Sequence, residues 1–60
     1  MRYLKIKINE DVKPTEIAGV DGITYKITNG EIVTLPYLNA KILLDNGCAE
    51  LIGHTQEVEI

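Results

Sequence analysis

Leu35-Pro36-Tyr37-Leu38-Asn39-Ala40-Lys41-Ile42-Leu43-Leu44-Asp45-Asn46-Gly47 is the one stretch that reads as a helix with both ends marked. Pro36 suits the first helical turn, where a missing N–H costs nothing and the fixed φ already fits. Asn46-Gly47 suits the stop, because glycine takes the left-handed C′ conformation without a Cβ penalty. At about 100° per residue, Leu35, Leu38 and Ile42 fall together. Ala40, Leu43 and Leu44 widen the apolar arc past half the circumference, and Tyr37, Lys41 and Asp45 form the outward stripe. An arc this wide predicts a helix covered by sheet on more than one side.

The rest of the chain reads as strands and turns. Residues 2–8 alternate, with Leu4, Ile6 and Ile8 facing one way and Tyr3, Lys5 and Lys7 the other. That is a half-buried strand with one wet face. After the polar Asn9-Glu10-Asp11, Pro14 argues against a central strand. A loop then leads to a short extended piece around 16–18, with Val12 and Ile17 as anchors to the core. Gly19-Val20-Asp21-Gly22 is a turn whose clearest signal is Asp21-Gly22.

Residues 23–27 alternate, and Asn29-Gly30 follows. This pair can fill both central positions of a type I′ hairpin turn. In that register Ile27 lies opposite Ile32 and Tyr25 opposite Thr34, so Ile23, Tyr25, Ile27 and Ile32 share a buried face. Residues 48–52 read as a returning strand. Residues 53–56 read as a turn, and 57–60 as an edge strand or a tail. The expected fold is α+β: one small β-rich domain over residues 1–60, with its core in 2–52. It has a central Asn-Gly hairpin and a single short helix packed against a mostly antiparallel sheet.

Composition narrows function more than it defines it. A chain of 60 residues buries only about 60% of its unfolded surface, which leaves room for one small core. Net charge is -3, without a basic run, so the electrostatic footprint for nucleic acid is weak. A patch of Arg2, Lys5 and Lys7 around Tyr3 is the one candidate for DNA contact. One cysteine excludes an intramolecular disulfide framework. No apolar run approaches membrane-spanning length and no signal-like segment is present, so the chain reads as soluble and intracellular. It either stands complete or is a domain cut from a longer protein.

Catalytic and ligand motifs are missing from the sequence. Cys48 follows a helix C-terminus, where the dipole gives a thiolate no support; it reads as a small strand residue, and His54 as a turn residue. Close metal-ligand spacing is lacking, and the glycines do not form a phosphate loop. No cofactor or metal is expected. Asp21, Gly22, Asn29, Gly30 and Gly47 read as structural turn residues. Arg2, Tyr3, Lys5 and Lys7 on one strand face, and Tyr37, Lys41 and Asp45 on the helix stripe, are the candidate protein contacts. Tyrosine beside arginine or lysine makes a suitable anchor for a partner.

Two runs carry a family resemblance. The first is Glu10-Asp11-Val12-Lys13-Pro14 with Ile17-Ala18-Gly19-Val20-Asp21-Gly22-Ile23-Thr24-Tyr25. The second is Gly30-Glu31-Ile32-Val33-Thr34-Leu35-Pro36, then Asn39-Ala40, Leu43-Leu44 and Gly47-Cys48-Ala49-Glu50-Leu51-Ile52. Together they resemble the small C-terminal (B) domain of archaeal GINS replication subunits, over residues 10–52. The same fold group includes parts of a primosomal helicase and small phage-encoded proteins. Where the family continues after the tyrosine with Gly-Pro-Phe, this chain has Lys26-Ile27, and its residues hold no counterpart of the helical A domain. The resemblance implies non-enzymatic docking within a DNA-replication assembly, against the helicase ring or a RecJ-like protein. The alternatives are a virus- or phage-encoded structural or accessory protein of the same fold, or a weak DNA binder. No catalytic residue is carried over.

Overall fold

The computed structural model describes residues 2–54. Tyr3–Ile8 (β1) forms the middle of a three-stranded sheet. Its alternation sends Leu4, Ile6 and Ile8 into the core and leaves Lys5 and Lys7 exposed. Thr15–Ala18 (β2) and Thr24–Ile27 (β3) pair with each other as a separate antiparallel ribbon. Ile32–Pro36 (β4) and Ala49–His54 (β5) flank β1, both antiparallel to it. Between them lies the helix Tyr37–Asp45 (α1). The class is α+β, strand-rich and antiparallel, with a single short helix among the described residues.

The Asn29-Gly30 hairpin does not form. Residues on its two sides belong to different sheets: Ile27 lies opposite Thr15 and Tyr25 opposite Ile17. The backbone explains this. A type I′ turn needs positive φ at both central residues. Here Gly30 has φ 75°, while no described non-glycine residue has positive φ. Glu31 N–H donates to Thr28 O at 3.2 Å, so the turn has the single left-handed residue of type II. Type II twist splays hairpin strands. The chain instead leaves the turn along β1, with Ile8 N–H donating to Glu31 O at 2.8 Å and Gly30 N–H to Ile8 O at 2.9 Å. Asn29 Nδ2 donates to Glu10 O at 3.2 Å.

That pairing reverses the expected face of β4. Leu4 lies opposite Leu35 and Ile6 opposite Val33, so Val33 and Leu35 share the core side. Ile32, expected inside, is 57% exposed. Ile23, also expected inside, lies in the loop before β3 and is exposed.

The helix is shorter and less covered than its sequence predicts. Leu35 and Pro36 belong to β4, and Pro36 is the N-cap. Tyr37 N–H donates to Arg2 O at 2.8 Å, which joins the start of α1 to the start of β1. At the other end Gly47 (φ 72°) donates to Leu44 O at 3.1 Å and Cys48 to Leu43 O at 2.9 Å. Those two bonds make a Schellman stop. The inward arc is Asn39 and Ala40, with Leu43 and Leu44 half-buried. Leu38 and Ile42 are 56% and 60% exposed. The sheet therefore covers one side of α1, not two.

β5 carries a bulge. Lys5 lies opposite Gly53 and Ile6 opposite Leu51, so Ile52 is the extra residue. Gly53 and His54, expected in a turn, continue this strand. The turn and edge strand expected beyond them fall on residues 55–60, outside the described residues.

The core comprises Leu4, Ile6, Ile8, Ile27, Leu35, Ala40 and Ala49, with Val12, Ile17, Tyr25 and Val33 packed against it. Register therefore has a direct mutational test by urea denaturation. Leu35→Ala should cost about 2–5 kcal/mol, as for a buried leucine, and Ile32→Ala no more than about 0.5 kcal/mol, as for a surface position. Equal costs would contradict the pairing of β4 with β1.

Candidate protein-contact surface

Two polar side chains at the tip of the ribbon decide which surfaces stay free. The β2–β3 loop closes with Gly22 N–H donating to Gly19 O at 3.0 Å, and Gly19 N–H to Ile23 O at 2.7 Å. Gly22, with φ 86°, supplies the left-handed turn position. Asp21 Oδ1 accepts from Ile23 N–H at 3.1 Å. Its Oδ2 accepts from Tyr3 OH at 2.7 Å and Tyr25 OH at 2.6 Å. One carboxylate thus ties the loop to β1 and to β3.

Asn39 ties the same tip to α1. Its Oδ1 accepts from Val20 N–H at 2.9 Å and its Nδ2 donates to Ala18 O at 3.1 Å. The side chain is buried, and burial of an amide is tolerable only with such partners.

The hydrogen bond from Tyr25, with that from Tyr3, holds the Asp21 carboxyl below its ordinary 3.8, against the opposing effect of desolvation. Accepting from both hydroxyls also pushes Tyr25 and Tyr3 up, first through the bond to Asp21 and then through desolvation. Tyr3 is therefore engaged within the fold and does not stand beside Lys5 and Lys7 as a free contact. Read from sequence, Asp21 is a turn residue and Asn39 carries no role. The available signal is a polar residue on the helical arc shared by Ala40, Leu43 and Leu44.

The remaining candidates separate by surface. Lys5 and Lys7 project from the open side of β1, and Lys7 lies opposite Glu50 on β5. Arg2, Tyr37, Lys41 and Asp45 converge on the outward arc of α1. The Arg2 guanidinium stands 5.6 Å from the Tyr37 ring centroid, within cation–π range. Lys41 Nζ donates to Asp45 Oδ2 at 3.0 Å, and that bond pushes the Lys41 amine up. Leu38 and Ile42 complete this arc. The sequence reading misses them because it assigns them to the core.

Among the described residues, no group of three or more His, Cys, Asp or Glu side chains could hold a metal ion. No helix there is long and apolar enough to cross a membrane. Cys48 is half-buried, its Sγ 3.9 Å from Asn46 O. Open depressions lie over Pro14, Glu16, Lys26 and Thr28, and over Lys7, Asn9, Glu10 and Glu50. No family model, curated protein or solved structure matches the chain.

Two outcomes test the tip. A Cβ on Gly19 would run into Asp21 Oδ1, Tyr25 Cε2 and the Ile23 carbonyl oxygen, whereas a Cβ on Gly53 meets nothing. Gly19→Ala should therefore cost about 1–3 kcal/mol and Gly53→Ala far less, as read by thermal unfolding; the reverse order would contradict the tip geometry. The second test is acid. Because folding lowers the Asp21 value, its stabilisation is fully present above 3.8 and is lost as pH falls through the lower folded-state value. Between about pH 6 and pH 2, the unfolding midpoint of wild type should fall more than that of Asp21→Asn. Parallel curves would remove Asp21 from the acid response.

Proposed function

We propose that this domain is a non-enzymatic protein-interaction module that docks through the outward arc of α1. The observation that carries the reading is the exposure of Tyr37, Leu38 and Ile42 together on that arc. Arg2 lies over the tyrosine, and the Lys41–Asp45 pair runs along the flank. Tyrosine and arginine are enriched among binding anchors, and an apolar centre within a polar rim is the usual anatomy of an interface.

The resemblance to the GINS B domain supports a place in a DNA-replication assembly, with the helicase ring or a RecJ-like protein as partner. The DNA-binding reading is less well supported by the geometry. The Tyr3 hydroxyl is held by Asp21, and Glu50 lies beside Lys7. A base-stacking platform in a basic groove would need more than these residues offer.

Affinity capture from the native cell tests the proposal. Wild type should recover replicative helicase components or a RecJ-like protein, and a Leu38→Lys, Ile42→Lys double variant should lose them while keeping its circular dichroism. Capture unaffected by the double variant, or recovery of viral structural proteins alone, would overturn the reading. Binding of labelled DNA that weakens with salt would favour direct nucleic-acid contact instead.

A further inference from the structure

The chain contains two Asn-Gly pairs, Asn29-Gly30 and Asn46-Gly47. Asparagine is thermolabile, and most so before glycine. With no side chain in the way, the following backbone nitrogen reaches the carboxamide carbon easily. The two pairs share this intrinsic chemistry and differ in what the fold does to them.

Asn29-Gly30 is held at both reacting groups. The Gly30 N–H donates to Ile8 O at 2.9 Å, and Asn29 Nδ2 donates to Glu10 O at 3.2 Å. A Cβ on Gly30 would come within 2.8 Å of the Glu10 carboxylate, which packs over this turn. Ring closure there requires contacts with the distant end of β1 to open together. Asn46-Gly47 is held at one group only. The Gly47 N–H donates to Leu44 O at 3.1 Å, three residues back in the chain. Asn46 is exposed, and among the described residues nothing bonds its carboxamide. The Gly47 carbonyl accepts from Asn9 Nδ2 at 2.6 Å, but that oxygen belongs to the next peptide group and stays outside the ring. A fraying helix end opens at far less cost than a pairing within a sheet.

From this contrast we infer that Asn46 is a site of spontaneous covalent modification in the folded domain. When the last turn of α1 frays, the Gly47 nitrogen attacks Cγ of Asn46. The N–Cγ bond forms, the Cγ–Nδ2 bond breaks, and the proton lost from the nitrogen completes the departing ammonia. Water then opens the five-membered succinimide at either ring carbonyl, leaving aspartate or isoaspartate at position 46. No electron is gained or lost.

The product undoes the helix stop. The closed ring has no N–H to offer Leu44 O. Isoaspartate then places one extra backbone carbon inside both Schellman bonds, Gly47 to Leu44 and Cys48 to Leu43. Either product adds a carboxylate next to Asp45, at the negative end of the helix dipole. The junction between α1 and β5 therefore loosens as the protein ages.

Incubation of the intact chain at neutral pH, followed by peptide mapping with mass spectrometry, tests the inference. Position 46 should gain the mass of an NH2-to-OH exchange several-fold faster than position 29. In guanidinium chloride the two rates should converge, both faster than in the fold. Asn46→Gln should abolish the early mass gain. Equal rates in native buffer, or a faster reaction at position 29, would overturn the inference. So would the same several-fold gap in guanidinium chloride, since the fold would then not select the site. The purified isoaspartyl form should unfold at a lower temperature than fresh protein, and an unchanged midpoint would overturn the assigned effect on the helix stop.

Discussion

A three-stranded sheet and a two-stranded ribbon that share no strand pairing must be joined by side chains. In this chain the joint combines Ile27, inserted into the core, with two polar groups at the ribbon tip. The Asn39 carboxamide bonds the backbone on both sides of Gly19, at Ala18 O and Val20 N–H. The Asp21 carboxylate gathers the hydroxyls of Tyr3 and Tyr25. A hydrogen bond contributes only about 1 kcal/mol net, but a buried partner left unpaired costs about 1–3 kcal/mol. These bonds therefore act chiefly by making other placements of the ribbon unfavourable. Gly19 fits the same requirement, since the tip closes too tightly for a side chain.

The polar joint also determines which face of the helix is left free. Asn39 and Ala40 lead the inward arc of α1, where larger aliphatic residues are available on the same helix. Asn39 must point inward to reach the tip. Helical geometry then turns Leu38 and Ile42 outward, alongside Tyr37 and Lys41. The helix thus leaves two large aliphatic side chains in solvent on a single stripe. Scattered exposed aliphatics need no explanation. Two of them one turn apart, next to a tyrosine under an arginine, form a contiguous surface suited to a partner.

Much of the fold is readable from residue order. The alternation over β1 identifies its buried and open sides, and the Schellman stop follows from Asn46-Gly47. The errors have local causes. Asn-Gly serves a type II turn as well as a type I′ turn, and the pair alone does not say whether Asn29 takes positive φ. Misassigning it reverses the face of Ile32. A helical wheel with apolar residues past half its circumference does not say which half the sheet covers. Pro36 compounds this, because a proline that can open a helix can also end an edge strand. The proposed contact surface is accordingly half readable. Tyr37, Lys41 and Asp45 are on the expected stripe, whereas Leu38 and Ile42 join it because Asn39 points inward.

Asn39 fixes the ribbon to the rest of the fold and so sets the outward face of α1. Native-state hydrogen exchange on Asn39→Ala tests it most directly. Loss of both tip bonds should lower protection of the β2 and β3 amides, with smaller losses in β1 between its two partner strands. Unchanged protection throughout, or an equal loss in β1 and the ribbon, would contradict the account.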